Sequence, residues 1–139
     1  MRKLLNGLAA AGIAGVMVMA GGGVAQADVA VNTWGSNVFN DDGGVAGYVV
    51  FSDDPDGSIP GDALRACDTR EDGRGVKAFL DIGNDGDVDR AAGTRGHPAG
   101  YCSPWKTGNI PENLIVSFWG CVIHGDVTKN CTAKRVVIS

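Results

Sequence analysis

Leu114-Ile115-Val116-Ser117-Phe118-Trp119-Gly120-Cys121-Val122-Ile123-His124 is the longest apolar run of this chain beyond residue 27, and its periodicity decides the fold class. Side chains alternate between the two faces of a strand. Leu114, Val116, Phe118 and Val122 therefore share one face, and Ile115, Trp119, Cys121 and Ile123 share the other. A strand that is apolar on both faces belongs in the middle of a sheet. Trp119, inside this run, is expected in the core. Val76-Lys77-Ala78-Phe79-Leu80-Asp81-Ile82 repeats the pattern with Val76, Ala78, Leu80 and Ile82 on one face.

No stretch carries a sustained helical stripe. Short apolar or alternating runs at 29–33, 46–52, 64–68, 75–82, 89–93, 114–124 and 131–138 are separated by turn chemistry such as Asn40-Asp41-Asp42-Gly43-Gly44 and Asn84-Asp85-Gly86. About seven short strands at this spacing predict an all-β domain, a small antiparallel β-sandwich of immunoglobulin-like type, with an antiparallel barrel as the alternative.

The first residues bear on location. Arg2 and Lys3 precede an apolar, uncharged run from Leu4 to Met19, and Ala25-Gln26-Ala27 has the small-x-small form of a cleavage site. Residues 1–27 are accordingly expected to be a cleaved signal peptide, with 28–44 an amino-terminal arm or edge strand and 45–139 the sandwich domain. The segment carries two cations and no acid, so its loss moves the formal charge from −4 to −6. That acid excess excludes nucleic acid as a partner, because such binding rests on Lys and Arg at phosphates. It also argues against an anionic membrane surface for the mature form. A secreted, extracellular protein with protein partners is the expectation.

Cys67, Cys102, Cys121 and Cys131 all lie in the exported part. An even count in an oxidising compartment predicts two disulfides, and no C-x-x-C pair or finger-spaced histidine supports zinc. Three pairings are possible. Cys121–Cys131 would close a short hairpin, which leaves Cys67–Cys102.

Clustered carboxylates at Asp81-Ile82-Gly83-Asn84-Asp85-Gly86-Asp87-Val88-Asp89 invite a calcium loop. On the EF-hand template Asp81, Asp85, Gly86 and Asp87 fit, but Gly83 and Ala92 stand where side-chain oxygens are required. A hairpin turn is the better reading, and neither a metal site nor a cofactor is expected. No catalytic residues are assigned. His97 and His124 are the only imidazoles, and Ser103 is in no nucleophile-elbow pattern. Val31, Trp34 and Phe39 in the amino-terminal segment are the candidate partner-binding anchors, since desolvated aromatics carry much of the energy of protein interfaces.

Ala66-Cys67-Asp68-Thr69-Arg70, Thr94-Arg95-Gly96-His97, Ser103-Pro104-Trp105-Lys106, Gly108-Asn109-Ile110-Pro111-Glu112 and the closing Cys121…Cys131 resemble a group of small secreted actinobacterial proteins with this cysteine layout. Some of that group look like the adaptor of umbrella-shaped secreted antibacterial toxin particles. The resemblance implies a non-enzymatic connector between a toxin spoke subunit and a cell-recognising lectin, with the arm at 28–40 inserted into one partner. Two rival functions stand beside it. One is a protease inhibitor presenting residues 70–74 or Lys106-Thr107. The other is a calcium- or glycan-binding domain using residues 81–89 or Trp105.

Overall fold

A computed structural model describes residues 32–139. The expected signal peptide, 1–27, and Val31 lie outside those residues. Eight strands follow in order: β1 (Thr33–Phe39), β2 (Val45–Ser52), β3 (Ala63–Asp68), β4 (Gly75–Ile82), β5 (Arg90–Gly93), β6 (Ile115–His124), β7 (Val127–Lys129) and β8 (Arg135–Ile138). They form two antiparallel sheets, β1-β2-β3 and β5-β4-β6-β7, with β8 also paired to β6. The protein is an all-β sandwich, and among the described residues there is no helix long and apolar enough to cross a membrane.

The apolar alternation places the core between the sheets. Val38, Val49, Phe51, Leu64 and Ala66 come from one sheet and Val76, Ala78, Leu80, Val116, Phe118 and Val122 from the other, all essentially inaccessible. Phe51 and Phe118 meet across the interface with centroids 5.8 Å apart. Burying a phenyl side chain of this kind stabilises the fold by about 1.5–3 kcal/mol. The sheets approach closely at Gly120, where an added Cβ would lie 2.6 Å from both Val38 Cγ2 and Val49 Cγ1. A glycine is required there because facing valines fill the space.

β6 is central, as its two apolar faces predict. β4 pairs along one edge, while β7 and β8 follow one another along the opposite edge. Three expectations need correction. The strand expected over 131–138 begins only at Arg135, because Cys131 is drawn onto β6 by its disulfide and Thr132 donates its N–H to Gly120 O. The stretch before it supplies β7, an unanticipated strand whose three residues are exposed and carry no apolar alternation. The third correction concerns Trp119. It lies on the outer face of its sheet, stacked on Phe79 at 5.3 Å, because its odd position points away from Val116, Phe118 and Val122.

Among the described residues the first strand is Thr33–Phe39, and most of the expected 29–33 strand lies outside them. Thr33–Phe39 pairs with β2 along its length, with a bulge between Val38 and Phe39. At the other edge of this sheet, residues 100–106 run beside β3 as an irregular extra strand. Ser103 N–H donates to Ala66 O at 2.8 Å, and Leu64 and Lys106 exchange N–H···O bonds at 2.9 and 2.8 Å. The β3 edge is thereby covered, which removes a template for uncontrolled strand pairing.

Both disulfides have the expected connectivity, Cys67–Cys102 and Cys121–Cys131, and no cysteine is free. Each joins a strand to the irregular segment that flanks it. Two disulfides are consistent with an oxidising, extracellular location.

Candidate functional site

The disulfides position the two most informative side-chain pairs of the surface. Arg65 stands two residues before Cys67, and Trp105 three after Cys102; the guanidinium carbon lies 4.4 Å from the indole centroid. Trp119 stands two residues before Cys121, and Lys134 three after Cys131; the ammonium lies 4.4 Å from the indole centroid. The same construction thus occurs once on the outer face of each sheet, with cation and aromatic exchanged between strand and flanking segment.

On the five-stranded sheet the pair is closed by a counter-ion. Asp81 is the cross-strand partner of Ser117 and its side chain is 0% exposed. Its Oδ2 accepts from Lys134 Nζ at 3.0 Å, and the two oxygens also accept the Asp85 and Gly86 N–H groups at 3.0 Å. Burial pushes this carboxyl up, but the Lys134 ammonium and the two backbone donors outweigh it and hold the group below its ordinary 3.8. Asp81 therefore works as the staple of the 81–89 turn. Asp89 Oδ2 closes the other side by accepting the Ile82 N–H at 2.6 Å, and Asp85 Oδ1 accepts the Asp87 N–H at 3.0 Å. The acidic cluster spends its oxygens on its own backbone, and among the described residues no group of three or more metal-ligating side chains converges.

On the three-stranded sheet the pair is open. Among the described residues the Arg65 side chain makes no hydrogen bond, and its Nε is sealed from solvent without a partner. The other described arginines are all engaged. Arg70 forks onto Asp42 at 2.6 and 3.0 Å, Arg74 reaches Asp41 at 3.3 Å, and Arg135 donates to Gly35 O at 3.1 Å. Arg90 donates to Asp62 O and Arg95 to Asp126. Arg65 faces outward because Leu64 and Ala66 on either side of it face the core. Val50 lies directly opposite on β2, and Tyr48 sits opposite Cys67 with its hydroxyl 3.8 Å from Cys102 Sγ.

The partner-binding candidates are not brought together. Trp34 points inward and stacks on Phe51 at 6.0 Å, so it belongs to the packing of the sandwich. Phe39, beyond the bulge, is on the surface at 48% exposed, beside its cross-strand partner Val45 at 42%. Val31 is outside the described residues. The residues missed in the sequence are Arg65 and Tyr48. Alternation alone could have placed Arg65 outward from a strand with buried neighbours, but nothing local shows that it lacks a counter-ion.

A polar cleft of about 400 Å³ at one end of the sandwich is lined by Asp68, Arg70, Asp72, Arg74, Arg95 and His97. Burial pushes the Asp68 carboxyl up, while the Arg70 N–H on its Oδ1 pulls it back. The His97 ring lies flat on Tyr101, 3.6 Å between centroids. His124 ends β6 on the surface. Ser103 Oγ is committed to Ala66 N–H and Pro104 O, both at 3.1 Å. Arg70 and Arg74 are folded back onto Asp42 and Asp41, and both backbone groups of Lys106 pair with Leu64, so neither stretch is presented as a free loop.

No protein-family model and no curated protein matches this chain. A solved structure described as an endonuclease/exonuclease/phosphatase from Beutenbergia cavernae superposes with a TM-score of 0.47 and 22% identity. The match covers 78% of this chain and only 27% of that one.

Proposed function

We propose that this chain is a secreted, non-enzymatic protein–protein interaction module. The observation that supports it is the pairing of Phe39 with Val45, two large apolar side chains exposed across from one another on an outer sheet face. Tyr48 and Val50 on β2 extend that face. An aromatic anchor next to tyrosine and aliphatic side chains is the composition of an interface centre rather than of a solvated surface. The finer form of the same reading, an adaptor between a toxin spoke subunit and a lectin, rests on the sequence resemblance. The protein would then be recovered from native culture medium together with both.

Affinity purification of the full secreted chain from native medium, with mass spectrometry of co-purifying proteins, tests the module. The Phe39→Ser variant should fold and lose the partner. Potent inhibition of trypsin or subtilisin, or a large rise in melting temperature with millimolar calcium, would overturn the reading in favour of its rivals.

A further inference from the structure

We propose that the Arg65–Trp105 pair is the recognition point for a carboxylate side chain, Asp or Glu, on a protein partner that docks on the outer face of the three-stranded sheet. The inference rests on the interaction-module reading and assigns its specificity residue.

Arg65 is the arginine whose side chain makes no hydrogen bond among the described residues, in a protein whose other described arginines each make one through the guanidinium. A partly buried guanidinium without an acceptor is costly, and such groups in native proteins call for an explanation. Trp105 holds the guanidinium 4.4 Å from its ring. A guanidinium seated over an aromatic face by its central carbon still has N–H donors to offer an acceptor. Of the three nitrogens only Nε is sealed, so the two terminal nitrogens remain open. They form a fork of the width a carboxylate accepts end-on. The residue carrying Trp105 is tied down by Cys67–Cys102 and by the Leu64–Lys106 bonds, so little ordering is left for the moment of binding.

The surroundings select the kind of partner. Val50 and Tyr48 flank the fork, with Phe39 and Val45 farther along the same sheet. One isolated cation amid apolar and aromatic groups suits a single carboxylate set in an apolar protein surface. A polyanion needs a row of cations, and the chain's acid excess of −4 opposes it.

Two measurements on the full secreted chain test this. In the first, the ¹⁵N-labelled protein is titrated with N-acetyl-glutamate N-methylamide, its glutamine analogue, and glucuronate. The Arg65 Nε–H and Trp105 indole resonances should move with the glutamate probe alone. Equal movement with the glutamine probe, a stronger response to glucuronate, or movement no greater than that of Arg70 and Arg74 would overturn the proposal. In the second, immobilised wild type and Arg65→Gln are compared for capture from native medium, with Trp105→Leu as a second variant and melting curves as the folding control. Both variants should lose about tenfold or more of the captured partner, the loss expected of a central interface residue. Equal capture by folded variants sinks the carboxylate site and leaves the interaction module standing. No capture by wild type sinks both.

Discussion

The outer faces of the two sheets carry the same device with opposite outcomes. On the five-stranded sheet, Lys134 lies over Trp119 and its charge is absorbed by Asp81 at 3.0 Å. On the three-stranded sheet, Arg65 lies over Trp105 and no described residue absorbs its charge. The first pair is finished: cation, ring, carboxylate and two backbone N–H groups satisfy one another. The second has every part except the acceptor. Lys134 over Trp119 is thus a fastening with an internal counter-ion, whereas Arg65 over Trp105 keeps its donors for an acceptor from outside.

Removing the disulfides should have the largest effect. Cys67–Cys102 spans 35 residues and Cys121–Cys131 spans 10. Chain entropy then assigns about 4 kcal/mol to the first and about 3 kcal/mol to the second. Paired Cys→Ser variants followed by urea unfolding should show that order, with Trp105 freed in the first case and Lys134 in the second. A reversed order would mean that the two segments are held chiefly by other contacts.

Next in size is the contrast between the two cations. Lys134→Met leaves the inaccessible Asp81 carboxylate without its charge partner and should lower the melting temperature clearly. Arg65→Met removes a cation–π contact but also an unsatisfied nitrogen, and should stay within about 1 kcal/mol of wild type. Equal losses in the two variants would break the comparison.

Acid should discriminate the faces further. The Asp81 carboxyl is held below 3.8, so the folded state releases its proton more readily than the unfolded chain. Its stabilisation is complete above the unfolded value and is lost as pH falls through the folded value. Thermal melts from pH 7 to about pH 2 should therefore show a shallower acid decline for Asp81→Asn than for wild type. Asp42, drawn down to about 2 by Arg70, contributes acid sensitivity in the same direction and remains in both proteins. Arg65→Met should leave the pH profile unchanged.

The smallest effect sharpens the comparison most. Val50 is directly opposite Arg65, so Val50→Glu supplies the missing carboxylate from within. An opposite-charge cross-strand pair adds roughly 0.2–1 kcal/mol, partly offset by the lost apolar contact. The open face should become a closed one, at near-constant stability, and partner capture should fall. Undiminished capture would show that Arg65 is not the point of contact.

Much of the architecture was legible before folding because it depends on period and turn chemistry alone. β4 was delimited at 75–82 by its alternation, and the central place of β6 followed from its two apolar faces. β7 was missed because three exposed residues after the tight turn at Gly125 carry no pattern. Trp119 was misplaced because a large aromatic in an apolar run suggests the core, whereas its parity and the Phe79 ring put it outside. Of the proposed anchors, Phe39 and Trp34 differ in side because the bulge and the strand's alternation come between them.

What the sequence by itself determined was the fold class and the cysteine framework, since hydrophobic periodicity and an even count of cysteines act locally or through simple pairing. Only the tertiary structure decided which charges are spent. Asp81 and Lys134 are 53 residues apart in sequence, and Arg65 and Trp105 meet only because a disulfide and a strip of strand-like bonds fold one segment over another. Whether a cation finds its acceptor depends on long-range neighbours, and no local pattern of residues encodes them.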